Sequence, residues 1–238
     1  MSNQSSPSPV WAIVPAAGCG SRMGQPLPKQ YLPLGQQLVI EHTLERLLAV
    51  TAVTGVVVAI SDGDQRFHSL PVAADPKVMT TLGGRERSES VLAGLNFLQK
   101  KARLTDWVLV HDAARCCVRP DAIARLLATV SSSEVGGILG VPASDTLKQV
   151  QDQQITATVD RNQIWQAQTP QLFRYGLLRD ALQQALQTRQ AITDEASAVE
   201  AMGLKPQMVM GHYDNIKITH PEDLVIAGAI LNAQESLL

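Results

Sequence analysis

Short runs of continuous apolar residues, spaced by stretches of helical periodicity, constrain this chain more than any other feature. Val10-Trp11-Ala12-Ile13-Val14, Gly55-Val56-Val57-Val58-Ala59-Ile60, Trp107-Val108-Leu109-Val110-His111 and the run from Gly136 to Val141 do not alternate apolar with polar residues. A strand of that kind has to be covered on both faces. Lys77-Val78-Met79-Thr80 is a weaker strand signal. Between the runs, Val39, Ile40, Leu44, Leu47 and Leu48 fall at helical spacing, as do Val91, Leu95 and Leu98 within a helix predicted over 85–100. Ile123, Leu126, Leu127 and Val130 mark another helix.

This β-α-β-α rhythm predicts an α/β fold with a single Rossmann-like, mostly parallel sheet and helices on both faces. A chain of 238 residues fits in one such domain, which we assign to residues 10–238. Residues 1–9, polar and proline-containing, are expected to form a disordered tail without signal-peptide character. Between 144 and 168 the rhythm changes. Thr146 to Val150 and Ile155 to Val159 alternate around Asp152-Gln153-Gln154, which predicts a projecting β-hairpin arm. A lone hairpin is marginal in water, so the arm is expected to dock on a second subunit, making a homodimer. Helices are predicted from Tyr175 to Thr188 and Glu195 to Met202, with short strands around Met208 and Ile216. Thr219 and Glu222 are spaced as a capping box for a last helix.

The first strand runs directly into Pro15-Ala16-Ala17-Gly18-Cys19-Gly20-Ser21-Arg22-Met23-Gly24, followed by Pro28-Lys29-Gln30. Glycines let backbone N–H groups approach an anion, and Arg22 and Lys29 add full positive charges. The loop is not a P-loop, and Met23 stands where a dinucleotide fingerprint needs its third glycine, which disfavours an oxidoreductase. Ligands of parallel sheets sit at the carboxyl ends of strands. Both this loop and Asp112 lie there by sequence position.

Net charge is −2 and no basic stripe occurs, so broad nucleic-acid binding is not expected. Cys19, Cys116 and Cys117 show neither metal-ligand nor disulfide spacing and read as packing thiols of a cytoplasmic protein. No apolar run reaches membrane-spanning length. Gly83-Gly84-Arg85-Glu86-Arg87-Ser88-Glu89-Ser90 precedes a helix, and its glycines suit close contact with a base edge. His111-Asp112-Ala113-Ala114-Arg115 offers a carboxylate for a divalent cation and a guanidinium for phosphate, with His111 read as locally satisfied. Asp160-Arg161, Thr193-Asp194-Glu195 and Asp214-Asn215-Ile216-Lys217 complete the polar clusters, the second of them reading as a helix cap.

Taken in order, Pro15-Ala16-Ala17-Gly18-x-Gly20-x-Arg22-Met23, Pro28-Lys29-Gln30-Tyr31, Gly83-Gly84-x-x-Arg87-x-x-Ser90-Val91, His111-Asp112-Ala113-Ala114-Arg115, Asp160-Arg161, Thr193-Asp194-Glu195-Ala196-Ser197 and Asn215-Ile216-Lys217 span nearly the whole chain. Together they resemble the 2-C-methyl-D-erythritol 4-phosphate cytidylyltransferase family of the non-mevalonate isoprenoid pathway. Cys116 departs from that pattern, which has proline there. The resemblance implies transfer of CMP from CTP to a sugar-alcohol phosphate with release of pyrophosphate. It further implies that Arg22 and Lys29 stabilise the transition state and that Arg161 and Lys217 orient the acceptor. Ala16, Ala17 and Gly18 would hold CTP phosphates, Gly84 and Ser90 would contact cytosine and Ala113 the ribose, with Pro15 and Gly83 also binding the nucleotide. Asp112 would help hold Mg²⁺ and substrate, aided on the substrate side by Arg115, Thr146, Thr169 and Thr193. The sister family acting on ribitol 5-phosphate is the enzymatic alternative, and a CTP-sensing protein without transfer activity is the non-enzymatic one.

Overall fold

A computed structural model describes residues 8–18 and 27–236. The chain runs β1 (Val10–Pro15), β2 (Pro33–Leu34), β3 (Gln37–Leu38), α1 (Val39–Leu48), β4 (Val53–Ile60), α2 (Gln65–His68), β5 (Val78–Leu82), α3 (Arg87–Leu98), β6 (Trp107–Val110), α4 (Pro120–Val130) and β7 (Gly136–Pro142). It continues through β8 (Leu147–Gln151), β9 (Gln154–Val159), β10 (Trp165–Arg174), α5 (Tyr175–Gln187), α6 (Glu195–Glu200), β11 (Gln207–Met210) and α7 (Pro221–Glu235). The central sheet has the order β11-β7-β10-β6-β1-β4-β5. All its pairings are parallel except those of β10, which is antiparallel to both β6 and β7.

Successive strand residues feed opposite cores, as a continuous apolar run requires. Ala12, Val14, Val56, Val58 and Leu109 pack with Ile40, Leu44 and Leu47 of α1 and with Ile123, Leu126 and Val130 of α4. Ile13, Val57, Val108 and Val110 pack with Val91, Leu95 and Leu98 of α3 and with Leu178 and Leu182 of α5. A third cluster joins Ala227 and Leu231 of α7 to Val39, Ile218 and the free, buried thiols of Cys116 and Cys117, which serve as packing residues.

Several boundaries differ from the sequence expectation. β10 was not predicted as a strand, because Trp165-Gln166-Ala167-Gln168-Thr169-Pro170-Gln171 is polar and interrupted by proline. It sits in the middle of the sheet because its buried polar groups find partners. Gln171 donates to Asp194 (2.8 Å) and accepts from the Ala196 N–H (2.9 Å), while Gln168 donates to the His212 carbonyl (2.9 Å). Pairing with β7 lapses between Ala167 and Gln171, around the residue that has no N–H to give. The expected arm therefore ends earlier than 168, since Trp165 already pairs with Pro142 in the central sheet.

No strand forms around Ile216. That segment bonds instead to loops and to β10, with the Ile218 N–H donating to the Ala114 carbonyl and the Asn215 amide to the Thr169 carbonyl. The last helix starts one residue later than expected. Asp223, not Glu222, accepts from the Thr219 and His220 N–H groups at 2.7 and 2.8 Å. At the other end, the Pro9 carbonyl accepts from the Trp107 N–H, so the end of the expected tail joins the domain. Residues 1–7 lie outside the described residues.

β8 and β9 form a separate two-stranded antiparallel sheet. Their two-residue turn has positive φ at Asp152 (49°) and Gln153 (64°), the backbone twist that suits a tight hairpin. Val150, Ile155 and Val159 are exposed.

Candidate active site

The carboxyl ends of β1, β5 and β6 open onto one cavity of about 430 Å³. Pro15, Ala16, Ala17, Gly18, Lys29, Gly84, Ser90, Asp112, Ala113 and Lys217 all line it. Residues from five separated stretches of chain thus meet where a parallel sheet places ligands. Arg22 and Cys19 lie outside the described residues.

Each wall has its own support. On the β1 side, Gln30 donates to the carbonyls of Ala16 (2.6 Å) and Gly18 (3.2 Å), which holds the loop open toward the cavity. Lys29 donates to the Ile218 carbonyl at 2.9 Å and so ties this loop to the segment carrying Lys217. On the opposite wall the Ser90 hydroxyl accepts from the Gly84 N–H at 3.0 Å. A Cβ at Gly83 would lie 2.5 Å from Ala17 Cβ, and one at Gly84 would lie 2.3 Å from Glu89 Cβ. Gly83 is therefore required by close packing between the two walls, and Gly84 by the approach of its own helix at Glu89. Gly83 itself faces a neighbouring open hollow with Ser61 and Asp62.

The floor is a charge cluster centred on Asp112. Its carboxylate accepts from Arg87 Nε (2.8 Å) and Lys217 Nζ (2.8 Å), with Arg115 Nε at 3.8 Å. Burial pushes the Asp112 carboxyl up, but the charges of Arg87, Lys217 and Arg115 outweigh it and hold it well below the usual range. Arg87 also grips Glu195 at 2.6 and 3.0 Å, and that carboxylate is buried. Burial raises the Glu195 pKa, opposed by the Arg87 charge. Three cations face two carboxylates here, which leaves the cluster net positive before Lys29 is considered.

Behind Asp112 the hydrogen bonds assign a tautomer. His111 Nε2 lies 3.0 Å from the Arg115 carbonyl, which only accepts, so Nε2 carries the proton. Nδ1 then accepts from the Thr169 hydroxyl (3.0 Å), which in turn accepts from the Asp112 N–H (3.1 Å). Burial lowers the His111 pKa to about 4, so this chain is neutral at pH 7. Arg115 donates to the Asn215 carbonyl at 2.6 Å. Arg115 and Thr169 thus brace the site without lining the cavity.

The remaining expected residues lie elsewhere. Thr193 is exposed and lines a small hollow of about 130 Å³ with Arg87, Asp194 and Glu195. Asp194 caps α6, accepting from the Ser197 N–H at 2.9 Å, as its spacing predicts. Thr146 and Arg161 are exposed near the hairpin base, where the Arg161 guanidinium donates to the Ser144 carbonyl. Asp160 accepts from the Asn162 N–H, capping the turn rather than pairing with Arg161. Sequence reading passed over Arg87 and Glu195 as site residues. Both stood in quoted motifs, but neither was given a role in the site, and Glu195 was otherwise read as a first-turn acid of a capped helix.

A family model described as 2-C-methyl-D-erythritol 4-phosphate cytidylyltransferase matches residues 10–233. The chain belongs to this family. It is 52% identical over 222 residues to the enzyme of that name from Aliivibrio fischeri, covering 93% of each chain. Among solved structures it resembles a 4-diphosphocytidyl-2C-methyl-D-erythritol synthase, with a TM-score of 0.83 and 43% identity over 95% of this chain and all (100%) of that one. The Francisella tularensis family member gives a TM-score of 0.81 at 37% identity, over 94% of this chain and 100% of that one. The family match decides between the two polyol-phosphate readings that the motifs left open.

Proposed function

We infer that the strand-end cavity binds CTP and 2-C-methyl-D-erythritol 4-phosphate and transfers CMP from the first to the second. The observation that carries this reading is the meeting of Lys29, Lys217 and the Gly84-Ser90 wall in one cavity. The acceptor phosphate attacks the α-phosphorus, a new P–O bond forms, and the bond to the β-phosphate oxygen breaks as pyrophosphate leaves with the electron pair. A phosphomonoester has its second pKa at about 6, so the nucleophile is already ionised and needs no base. The barrier is repulsion between two anions, which an in-line arrangement among fixed cations lowers.

Lys29, with Arg22, serves the triphosphate, and the loop after β1 offers it the backbone N–H groups of Ala17 and Gly18. Gly84 and Ser90 serve the base and Ala113 the ribose. Lys217 serves the acceptor phosphate. Arg161 faces the acceptor from a second subunit, reached through the hairpin, which makes the working unit a homodimer; its exposure and the uncovered apolar side chains of the hairpin support this.

Mg²⁺ fits the donors present. Asp112 is ionised, and although each oxygen accepts one hydrogen bond, each keeps a second lone pair. One carboxylate together with triphosphate oxygens is the way this ion is commonly held. When bound it neutralises phosphate charge as a Lewis acid. A cytoplasmic location accords with these soluble substrates, and no helix among the described residues is long and apolar enough to cross a membrane.

A pyrophosphate-release assay across four nucleoside triphosphates, with methylerythritol phosphate and ribitol 5-phosphate as acceptors, tests the reading. Release is expected with CTP and methylerythritol phosphate. Preference for ribitol 5-phosphate, or CTP binding without release, overturns it.

A further inference from the structure

Glu195 is a carboxylate buried beside an anion-binding cavity, and charge attraction to the substrates cannot be its purpose. It is 1% exposed. Burying a carboxylate is costly unless it is paired and hydrogen-bonded. Here a single guanidinium does both. Arg87 Nη1 and Nη2 donate to Oε1 and Oε2 at 2.6 and 3.0 Å, which commits the two-pronged edge of the guanidinium to Glu195. Of the N–H groups that remain, Nε reaches Asp112 Oδ1 at 2.8 Å.

The consequence lies at the other oxygen. A guanidinium prefers to engage both oxygens of a carboxylate with parallel N–H bonds. Glu195 fixes the guanidinium in the orientation that presents Nε to Oδ1; released from it, Arg87 is free to turn a two-pronged edge onto both oxygens of Asp112 and draw Oδ2 from Lys217. With Glu195 in place, Oδ2 holds Lys217 Nζ at 2.8 Å. The anchor is itself fixed. Gln171 of β10 binds Asp194 and the Ala196 N–H on either side of Glu195, so the start of α6 is clamped to the sheet.

We propose that Glu195 is a positioning residue for the transfer reaction: through Arg87 it confines that guanidinium to one oxygen of Asp112 and keeps the other for Lys217. The chain of contacts runs from α6 through α3 and the end of β6 to the segment before α7. The proposal rests on the acceptor role of Lys217 given above.

Two variants test it. Glu195→Gln keeps the volume but replaces one acceptor oxygen with a donor, which releases one prong of Arg87. Arg87→Lys keeps the charge, yet one ammonium cannot bridge two carboxylates in that geometry. For Glu195→Gln the expected result is CTP affinity within about threefold of wild type by calorimetry, and kcat/KM for the sugar phosphate down by about tenfold to a hundredfold. Arg87→Lys should show the same acceptor-side loss, and the double variant should be no worse than either alone. A merely structural ion pair would lower the melting temperature and leave kcat/KM per folded enzyme unchanged, and that result overturns the proposal. Should Glu195→Gln fail to fold, Arg87→Lys decides, because it leaves the buried carboxylate a cationic partner. Wild-type protein inactive on methylerythritol phosphate would sink the functional reading and this proposal together; active wild type with unaffected variants sinks the proposal alone.

Discussion

Lys217 and Arg161 carry the same charge and are both expected to face the acceptor phosphate, yet the fold treats them in opposite ways. Lys217 is held at 2.8 Å by a carboxylate that Arg87 holds in turn, on a floor backed by Thr169 and His111. Arg161 stands exposed at the base of a two-stranded sheet, and its guanidinium bonds a carbonyl of its own neighbourhood. One cation, itself partly exposed, is positioned by a buried carboxylate whose other partners are fixed within the same chain. The other has its position left open by this chain. The contrast separates a cation preorganised within this chain from one that, under the proposed function, acts on a second subunit.

The largest effect should come from the preorganised side. Lys29→Ala is expected to lose at least ~10²-fold in turnover with its circular dichroism unchanged, since a fixed donor on developing charge is worth that much. Near-normal turnover would remove the cavity from the argument. A second prediction probes the neutral chain behind Asp112. The folded pKa of His111 is lowered to about 4, so below its ordinary value of about 6.5 the unfolded chain takes up a proton that the native one refuses. Its stabilising contribution is therefore present above pH 6.5 and lost as pH falls toward 4, by about 2–3 kcal/mol. Urea unfolding at pH 7 and 4.5 should show that loss in wild type and not in His111→Gln; equal slopes in both would refute the assignment. The smallest change is expected on the hairpin. Arg161→Gln should raise KM for the sugar phosphate about tenfold while leaving the melting temperature and CTP dependence unaltered. A drop in melting temperature instead would mean that the hairpin is braced by its own domain, and the comparison would fail.

What was legible before the coordinates follows from local chemistry. Strands such as β1, β4 and β6 declare themselves because every residue must be apolar when both faces are covered. The glycine pair at Gly83 and Gly84 was read as a contact for a base edge; the structure adds a packing reason, since nothing larger fits against Ala17 and Glu89. β10 was not legible. Gln168, Thr169 and Gln171 look like loop residues until Asn215, His212, Asp194 and the Ala196 N–H are brought alongside. Glu195 failed in the same manner. An acid in the first turn of a helix is ordinarily a favourable surface charge, and only the approach of Arg87, 108 residues away in sequence, turns it inward.

By itself, then, the order of residues determined a mostly parallel sheet and the placing of Gly18 and Asp112 at the ends of its strands. Those properties are carried by each segment's own periodicity and side-chain type. The tertiary structure alone decided which of the cations are locked, by which carboxylates, and where a polar strand is allowed to lie. Such choices depend on hydrogen bonds between residues far apart in the chain, and the value of a buried polar group is undefined until its partner is in place.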